Sequence, residues 1–413
     1  MANTIATSTW VTKETARGYT NGLKFAANVN RTYSDEFEQA GAKVGNTIFP
    51  RLTQRWQVTD GQALQLQNIL DQTVAVTLTN QKNVAFGYSS AQATTELDEI
   101  RSRYTQPAAE SLANATDVLG FQTVTRDIYS SVGTPGTTPS ATLTYLQAGV
   151  KLTDLAAPPG GRIAMLDQLA MATIANTSAS LFNPGGILGE NYEEGVFGRR
   201  QLGIEKWLVD PNRYNHTTGS WTSTSTPLVN GATQTGSTIN INGWNSNTTT
   251  LNKGDVFTIA GVNSVNPLSY ADTGRLQQFV VTATTSDSGG TIAALPISPS
   301  IITSGQLQTV TASPASGAVV TVLGASAAAA GTYVATSSPQ SLVYHPDAFA
   351  LVTADLTKNI KGAECTRISS KALNFSIRLV EQYQIGTDQN PSRLDILIGW
   401  ATIQPRLACR VWG

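Results

Sequence analysis

Histidine and cysteine, the side chains that most often carry catalysis or bind a metal, are rare in this sequence. The two histidines are His216, in the stretch NRYNHTTG, and His345, in LVYHPDAF. Neither has a Ser, Cys or Asp at a spacing typical of nucleophilic catalysis, so we interpret both as ordinary polar or junction residues. Cys365 and Cys409 are too few for a disulfide scaffold or a zinc site, and we expect both to be reduced and structural.

Motifs that would indicate catalysis or nucleotide binding are also missing. The sequence has no G-x-S-x-G, no Walker A motif and no H-E-x-x-H. The stretch GGILGENYEEG (185–195) combines glycines with carboxylates, but its spacing is not that of a calcium loop, and we predict a flexible loop there. The sequence therefore predicts no catalytic, cofactor-binding or metal site, and a protein that is not an enzyme.

One short basic cluster could contact a polyanion. It consists of Arg199 and Arg200, with Lys206 and Arg213 nearby. A cluster of this length is more typical of a salt-bridged or solvated face. Aromatic residues make up 7% of the chain and do not alternate with basic ones, which argues against a stacking platform for single strands. The net charge of -1 gives no general attraction to nucleic acid or to anionic lipid.

Length and composition indicate a globular protein of several domains. A chain of 413 residues exceeds one typical core, so two or three domains are expected. Hydrophobic residues make up 40% and the mean hydropathy is -0.10, which is typical of a soluble protein. No apolar run reaches the roughly 18 residues of a membrane span. The stretch MANTIATSTWVTKETARG lacks the pattern of a secretory signal, so we expect synthesis in a cytoplasm.

The first ninety residues predict an arm followed by a hairpin. Residues 1–45 are polar and weakly patterned, which suggests an extended arm that orders only against something else. Alternating apolar residues predict strands at 73–79 and 83–88, joined by a turn at 80–82. The pattern over residues 50–82 predicts a long two-stranded β-hairpin that protrudes from the rest of the subunit. Since an isolated hairpin is marginally stable in water, we expect this one to pack on another chain.

Helical patterns dominate the next part of the chain. Apolar spacing predicts helices over 95–104 and 107–124, with Pro107 as the first residue of the second. A further helix over 139–158 carries Leu143, Leu146 and Val150 on one apolar face, and another is predicted over 167–182. A strand is predicted at 202–209.

The composition then changes abruptly. Residues 222–340 contain five charged residues, Lys253, Asp255, Asp272, Arg275 and Asp287, whereas the whole chain has 27 + 28 = 55. Within this segment, NKGDVFTIAGV (252–262) predicts a turn followed by a strand with Phe257 and Ile259 on one face. About six such runs separated by Gly, Asn, Ser and Pro indicate a small β-barrel or sandwich. The alternation disfavours a disordered linker.

Ordinary composition returns after Pro339. Leu373, Phe375, Ile377 and Leu379 are expected to face the core from one strand, and a second strand is predicted over 393–399. Helices before the β segment and strands after it predict an α+β body split by an inserted all-β domain. The inserted domain is expected to fold autonomously, with its two ends close together.

This layout resembles that of tailed-phage major capsid proteins. Several stretches resemble the coat proteins of short-tailed phages that carry an inserted β-barrel: PAAESLAN, KGDVFTIAGV, LQQFVVTA, LVYHPDAFALVTADL and RLDILIGWATIQPRLACRVWG. The resemblance covers most of the chain from about residue 45 and rests on these phrases in combination.

The resemblance implies an α+β tailed-phage capsid (Johnson) fold with an inserted all-β, barrel-like domain. Its parts would be an N-terminal arm, an extended β-hairpin loop, a peripheral domain with the spine helix, an axial domain, the inserted β-barrel domain and C-terminal axial/peripheral strands, placed at 1–45, 46–94, 95–138, 139–221, 222–340 and 341–413. Pro107 would make the spine kinked or two-part.

The same resemblance implies a shell protein that encloses double-stranded DNA without binding a specific sequence. It implies a homo-oligomer of hexamers and pentamers in an icosahedral virion capsid, made in the host cytoplasm, with scaffolding and portal proteins as partners and no membrane. Two alternatives remain from the residues themselves. One is a phage tail or receptor-binding protein, although no internal repeat is present. The other is a carbohydrate-active enzyme with an added β domain, which would need paired carboxylates in a cleft.

Overall fold

The computed structural model describes residues 15–20, 22–34, 45–62, 65–89, 106–178, 203–222, 226–324, 326–329, 331–370 and 375–413. Residues 15–20 are helical, and the longer helices of the described part are α1 (Gln106–Val124), α2 (Thr142–Asp154) and α3 (Gln168–Ser178). Short 3-10 turns occur at Ala26–Asn28, Thr32–Ser34, Thr125–Asp127, Pro346–Ala348 and Pro405–Leu407.

Strands make up most of the remaining structure. In chain order they are β1 (Thr47–Ile48), β2 (Val76–Thr77), β3 (Asn80–Ser89), β4 (Ser131–Val132), β5 (Ile163–Leu166), β6 (Lys206–Val209), β7 (Tyr214–Thr217), β8 (Trp221–Thr222), β9 (Leu228–Val229), β10 (Gly236–Asn242), β11 (Thr250–Leu251), β12 (Val256–Val265), β13 (Asp272–Val281), β14 (Thr285–Ser286), β15 (Thr291–Ile301), β16 (Val320–Leu323), β17 (Ser326–Ala329), β18 (Thr332–Val334), β19 (Ser337–Tyr344), β20 (Phe349–Ala354), β21 (Glu364–Ser370), β22 (Phe375–Glu381), β23 (Gln389–Thr402) and β24 (Ala408–Trp412). The α+β class predicted from the sequence is confirmed.

The chain divides into two compact units. The first comprises residues 1–51, 73–121 and 349–403, and the second comprises 52–72, 122–348 and 404–413. Each unit is therefore built from three separate stretches of chain.

The first unit is organised around β23. This strand pairs antiparallel with β3, β20 and β22, and β22 in turn pairs with β21. Helix α1 approaches β23 closely, because a Cβ on Gly120 would lie 2.6 Å from the Trp400 ring. Phe25 stacks on Trp400, with ring centroids 5.2 Å apart, and on Phe121 at 4.3 Å. The core of this unit is thus partly aromatic.

Residues 15–20 and 22–34 do not form the extended arm that we expected. Asp117 of α1, which is buried, accepts hydrogen bonds from the backbone N–H groups of Lys24, Phe25 and Ala26 at 2.8, 3.2 and 2.9 Å. Tyr19 donates to the hydroxyl of Thr116 at 3.1 Å. The sequence did not predict this docking, because it depends on one buried carboxylate that accepts hydrogen bonds from three backbone N–H groups. Such contacts leave no apolar periodicity in the sequence.

The predicted hairpin of strands 73–79 and 83–88 was also wrong. β2 pairs with β1, whereas β3 pairs with β23 over its whole length. Residues 80–82, which we predicted as a turn, belong to β3 and lie opposite Ile396–Ile398. Alternation identified the buried Val76 and Leu78 correctly, but alternation is a property of one strand and does not specify its partner.

Helix α1 begins at Gln106 with Pro107 in its first turn, close to the predicted start. The predicted helix over 95–104, and any kink before Pro107, lie outside the described residues.

Helix α2 faces the opposite way from our prediction. Tyr145, Ala148 and Leu152 are buried, whereas Leu143 and Val150 are exposed. Both sets of residues recur at helical spacing, so the periodicity alone could not decide which stripe meets the sheet.

The second unit contains a mixed sheet, here called the host sheet. Its strand order is β4-β24-β19-β5-β6, with β7 also paired to β19. β24 is parallel to β4 and β5 is parallel to β6, while β19 is antiparallel to β24, β5 and β7. Residues 337–340, which we placed at the end of the inserted segment, belong to β19 of this sheet.

The inserted segment forms a barrel-like sheet of six strands in the order β16-β12-β13-β15-β10-β9, as the alternating runs predicted. The ends of the sheet meet, because Val229 donates to the carbonyl of Ala318 at 2.9 Å and Val320 donates to that of Pro227 at 2.9 Å. Closure satisfies the backbone groups that would otherwise be left at open edges. The enclosed core includes Ile241, Phe257, Ile259, Phe279, Val281 and Leu295.

A truncation in the first unit tests the assignment of β22. Phe375 is 3% exposed and lies 5.2 Å from the Tyr19 ring. Phe375→Ala is expected to lower the free energy of unfolding by about 3–5 kcal/mol, because it leaves a cavity in a packed core. Urea unfolding of the subunit measures the change.

Phe49→Ala serves as the matched control, because Phe49 belongs to the same unit and is 63% exposed. An equal, small effect of both substitutions would show that β22 is wrongly placed. Ile377 and Leu379 are buried as predicted, whereas Leu373 lies outside the described residues.

Candidate functional site: the junction of the inserted domain

The inserted domain leaves the host sheet and returns to it at adjacent points. Ser337, at the start of β19, lies opposite Thr217, at the end of β7. Thr218 donates its N–H to the carbonyl of Thr336 at 3.0 Å, and Thr336 donates back to the Thr218 hydroxyl at 3.0 Å. We therefore count residues 218–336 as the inserted domain, and we call this crossing point the junction.

Asp255 is the centre of the junction. One carboxylate oxygen, Oδ2, accepts the backbone N–H groups of Gly219 at 3.0 Å and Asn252 at 2.8 Å. The other, Oδ1, lies 2.8 Å from Nε2 of His216. An ionised carboxylate only accepts hydrogen bonds, so Nε2 of His216 carries the proton in this contact.

The turn before β12 explains how Asp255 reaches this position. Asp255 donates its N–H to the carbonyl of Asn252 at 3.0 Å, which closes the turn Asn252–Asp255. Gly254 has a φ of +101°, and a Cβ there would lie 3.1 Å from the His216 ring. Glycine is thus required twice, for the left-handed backbone and for the space beside the imidazole.

His216 is buried and neutral. Burial lowers its pKa below the usual 6.5, and the hydrogen bond with Asp255 opposes this without reversing it. Its Nδ1 lies 3.5 Å from the Tyr214 hydroxyl, which accepts a hydrogen bond from Nε of Arg126 at 2.8 Å. A chain of polar contacts thus runs from Arg126 through Tyr214 and His216 to Asp255.

Arg410 of β24 brings a second buried charge to the junction. Its guanidinium lies over the Trp412 ring, 5.6 Å from the centroid, and Nη1 donates to the carbonyl of Gly254 at 2.9 Å. Burial lowers the pKa of Arg410 to about 10, while the nearby negative charge of Asp255 raises it. Among the described residues, Nε and Nη2 have no hydrogen-bond partner, so the charge depends on Asp255 and on the face of Trp412.

Apolar contacts surround these charges. Val256 and Val280 of the inserted domain pack in one buried cluster with Tyr129, Leu155 and Trp412 of the host. Val256 therefore faces the host, while the neighbouring residues of β12, Phe257 and Ile259, face the barrel core as predicted. The start of this strand is therefore buried on both faces, whereas Ala260 and Gly261 further along are exposed.

Gln278 of β13 makes a further polar connection across the junction. Its Oε1 accepts the N–H of Ser131 at 2.8 Å and a hydrogen bond from the ammonium of Lys151. Lys151 also donates to the carbonyl of Ser131 at 2.7 Å, and burial lowers its pKa. An ion pair between Arg275 and Asp154, with N–O distance 3.4 Å, lies further out.

The sequence did not reveal the junction. His216 was predicted in a loop but lies on β7, paired with an aspartate 39 residues away. His345 lies beyond β19 with Nδ1 3.4 Å from Asp347. The signal that could have pointed to the site was Asp255 itself, a rare charge placed directly before an apolar strand in a nearly neutral segment.

The remaining candidate residues lie elsewhere. Cys409 is buried, which raises its pKa to about 12, and Cys365 is half-buried; both are free thiols. Arg213 pairs with Asp167, and Lys206 is exposed on β6. Arg199, Arg200 and the stretch 185–195 lie outside the described residues. Within the described part, no three His, Cys, Asp or Glu side chains could share a metal, and no helix could cross a membrane.

The His216–Asp255 pair at the junction is shielded from solvent. The side chains of His216 and Asp255 are 1% and 0% exposed, so a substrate in solution cannot reach the pair. The nearest hydroxyl to Nδ1 belongs to Tyr214, whose oxygen is already engaged by Arg126. What the arrangement can do is hold the inserted domain in one orientation on the host sheet.

Comparisons with known proteins identify relatives of the whole chain. The sequence model of a family described as "P22 coat protein - gene protein 5" matches residues 1–410. Among solved structures, one from Mycobacterium phage Che8 is 13% identical, with TM-score 0.46, covering 94% of this chain and 90% of the other. The capsid of Ralstonia phage GP4 is 8% identical, with TM-score 0.39, covering 89% and 84%.

A third solved structure matches a single part of the chain. The CUS-3 coat protein I-domain is 26% identical with TM-score 0.18, covering 26% of this chain and 95% of the other. Curated proteins give no match.

Asp255→Asn tests whether the junction depends on this carboxylate. The substitution is expected to lower the free energy of unfolding by about 3–5 kcal/mol, because it leaves Arg410 buried without its nearby negative charge. Thermal and urea unfolding measure the loss. Asp60→Asn, at an exposed position, is the control and should change stability by less than about 0.5 kcal/mol. Similar values for the two variants would contradict the role of Asp255.

The stability of the protein should also depend on His216 in weak acid. Because the folded-state pKa lies below 6.5, the unfolded chain binds the proton more readily, so stability is complete above pH 6.5 and falls as the pH drops below it. His216→Gln should reduce the pH dependence of the unfolding midpoint between about pH 6.5 and pH 5. His345→Gln should keep the wild-type slope. A wild-type slope in His216→Gln would disprove the prediction.

Proposed function

The chain belongs to the P22 coat protein family, and we propose that it builds its shell as hexamers and pentamers joined by an apolar loop that each subunit places on a neighbour. It is a major capsid protein, a structural component of the virion capsid. The family match covers residues 1–410 and gives no support to the tail or receptor-binding alternative.

The observation that carries the proposal is the exposure of apolar side chains in one loop, whose described residues are 52–62 and 65–72. Val58, Leu66 and Ile69 are 89%, 87% and 76% exposed, and Trp56 is more than half exposed. Single exposed apolar residues are ordinary on a protein surface, but four within fourteen positions of one excursion mark an interaction surface.

The loop is weakly held at its base. Leu52 donates its N–H to the carbonyl of Gln72 at 2.8 Å, and further out Gln57 donates its N–H to the side chain of Gln67 at 3.0 Å. Regular strand pairing of this excursion ends at the bridge between Arg51 and Thr73. Such a segment gains little from its own backbone bonds, so a neighbouring subunit would supply the missing burial.

The inserted domain, residues 218–336, would act as an autonomous folding unit that supports its host. Its closed sheet, its own apolar core and its adjacent ends support this proposal. The proposed division into arm, extended loop, spine, axial and inserted domains follows the resemblance described above.

Subunits made in the host cytoplasm would assemble with scaffolding and portal proteins and enclose double-stranded DNA without sequence-specific binding. The net charge of -1 supports this proposal, because a strongly basic protein would bind DNA through general electrostatic attraction and this chain is not strongly basic. The shielded His216–Asp255 pair supports a role without catalysis.

Joint replacement of Val58, Leu66 and Ile69 by Ser tests the loop. Because these side chains are exposed in the subunit, its free energy of unfolding should change by less than about 0.5 kcal/mol per site. Shell assembly should be lost, since the buried apolar area at the contact disappears. Sedimentation and electron microscopy of the purified protein measure assembly, and a matched Ile385→Ser variant, exposed on another loop, controls for lost surface hydrophobicity.

Hydrogen exchange provides the second half of this test. Amides of residues 52–62 and 65–72 should exchange quickly in the free subunit and slowly in the shell. Equal protection in both states, or normal shells from the triple variant, would rule out the intersubunit role.

A further inference from the structure

A polar cleft of about 590 Å³ opens in the second unit beside the junction. Its lining includes Arg126, Arg213, Tyr214, Thr217, Asn252 and Lys253. These residues come from the 3-10 turn that follows α1, from β7 and the segment before it, and from the turn before β12. None of the described lining residues is an aspartate or a glutamate.

The cleft combines three cations with many hydrogen-bond donors. Lys253 lies 3.0 Å from Asp127, and Arg213 pairs with Asp167, so two of the cations have one carboxylate partner each at the margin. Arg126 differs, since its Nε donates to the Tyr214 hydroxyl and it has no ion pair among the described residues. The amides and hydroxyls of the lining supply further neutral donors.

The floor of the cleft is fixed. The guanidinium of Arg126 lies 5.1 Å from the centroid of the Tyr214 ring, and the Tyr214 hydroxyl continues toward His216 and Asp255 in the buried junction. Asn252 is held by two contacts, since its backbone N–H donates to Asp255 and its side chain donates to the carbonyl of Thr217 at 3.2 Å. Donors held in place before binding lose little conformational entropy when a ligand arrives.

We propose that this cleft binds phosphate groups, supplied either by a DNA backbone or by free phosphate compounds. Arginine forks, a lysine and several neutral donors match the many acceptor oxygens of a phosphate. An apolar ligand would find only the Tyr214 ring, which Arg126 already covers. The volume is within the range that holds a nucleotide-sized ligand. Arg213, one of the basic residues that the sequence marked as a possible polyanion contact, lies in this cleft.

Binding to the full-length subunit tests the proposal. The probes are inorganic pyrophosphate, a short double-stranded DNA of arbitrary sequence, and poly-glutamate as a polyanion without phosphate. Isothermal titration or fluorescence anisotropy gives the dissociation constants at two salt concentrations. The variants are Arg126→Gln, the pair Arg213→Gln with Lys253→Gln, and Arg275→Gln as a control that removes an exposed arginine outside the cleft, itself paired with Asp154.

The expected result is phosphate binding that weakens by about tenfold or more in both cleft variants and stays unchanged in Arg275→Gln. Tight DNA binding whose salt dependence decreases in the variants identifies the DNA backbone as the source, whereas equal binding of pyrophosphate and DNA identifies free phosphate. Circular dichroism confirms that each variant folds. If Arg126→Gln unfolds, the double variant Arg213→Gln with Lys253→Gln, which leaves the contacts of Tyr214 intact, provides the test of phosphate binding. Poly-glutamate binding as tightly as DNA, no binding of either phosphate probe, or equal losses in Arg275→Gln would overturn the proposal.

Discussion

The carboxylate of Asp255 connects segments that are far apart in the chain. It accepts the backbone of Gly219, where the chain enters the inserted domain, the backbone of Asn252 within that domain, and the imidazole of His216 on the host sheet. It also supplies the nearby negative charge for Arg410 of the host strand β24. Three donors satisfy this buried carboxylate, since each hydrogen bond replaces one that water would have made. The rest of the junction is arranged around it.

The same geometry leaves little room for charged side chains at the start of β12. The start of β12 is buried on both faces, with Phe257 and Ile259 toward the barrel and Val256 toward the host cluster of Tyr129, Leu155 and Trp412. A strand buried in this way has few positions where a charged side chain could reach water.

Sequence patterns predicted local structure well and pairing poorly. The alternating runs gave the six-stranded barrel and the buried side chains of β22, because burial on one face imposes a period of two. They could not show that β3 pairs with β23 and not with residues 73–79, since many partners fit the same period. The contacts of Asp117 with residues 24–26 and of Asp255 with His216 could not be predicted, for another reason. Each joins polar residues distant in sequence, and no periodicity records such a contact.

β24 lies parallel to β4, with Arg410 opposite Ser131, although the two strands are far apart in the chain. The ribosome makes β4 first, then β5, β7, the whole inserted domain and β19, and only afterwards β24, which lies between β4 and β19 in the host sheet. The barrel can close within its own residues while the host sheet still lacks this central strand. Until Trp412 emerges, the outer faces of Val256 and Val280 lack one wall of their apolar cluster. A chain that has not yet added β24 to the host sheet therefore leaves part of this apolar surface open to contacts with other chains.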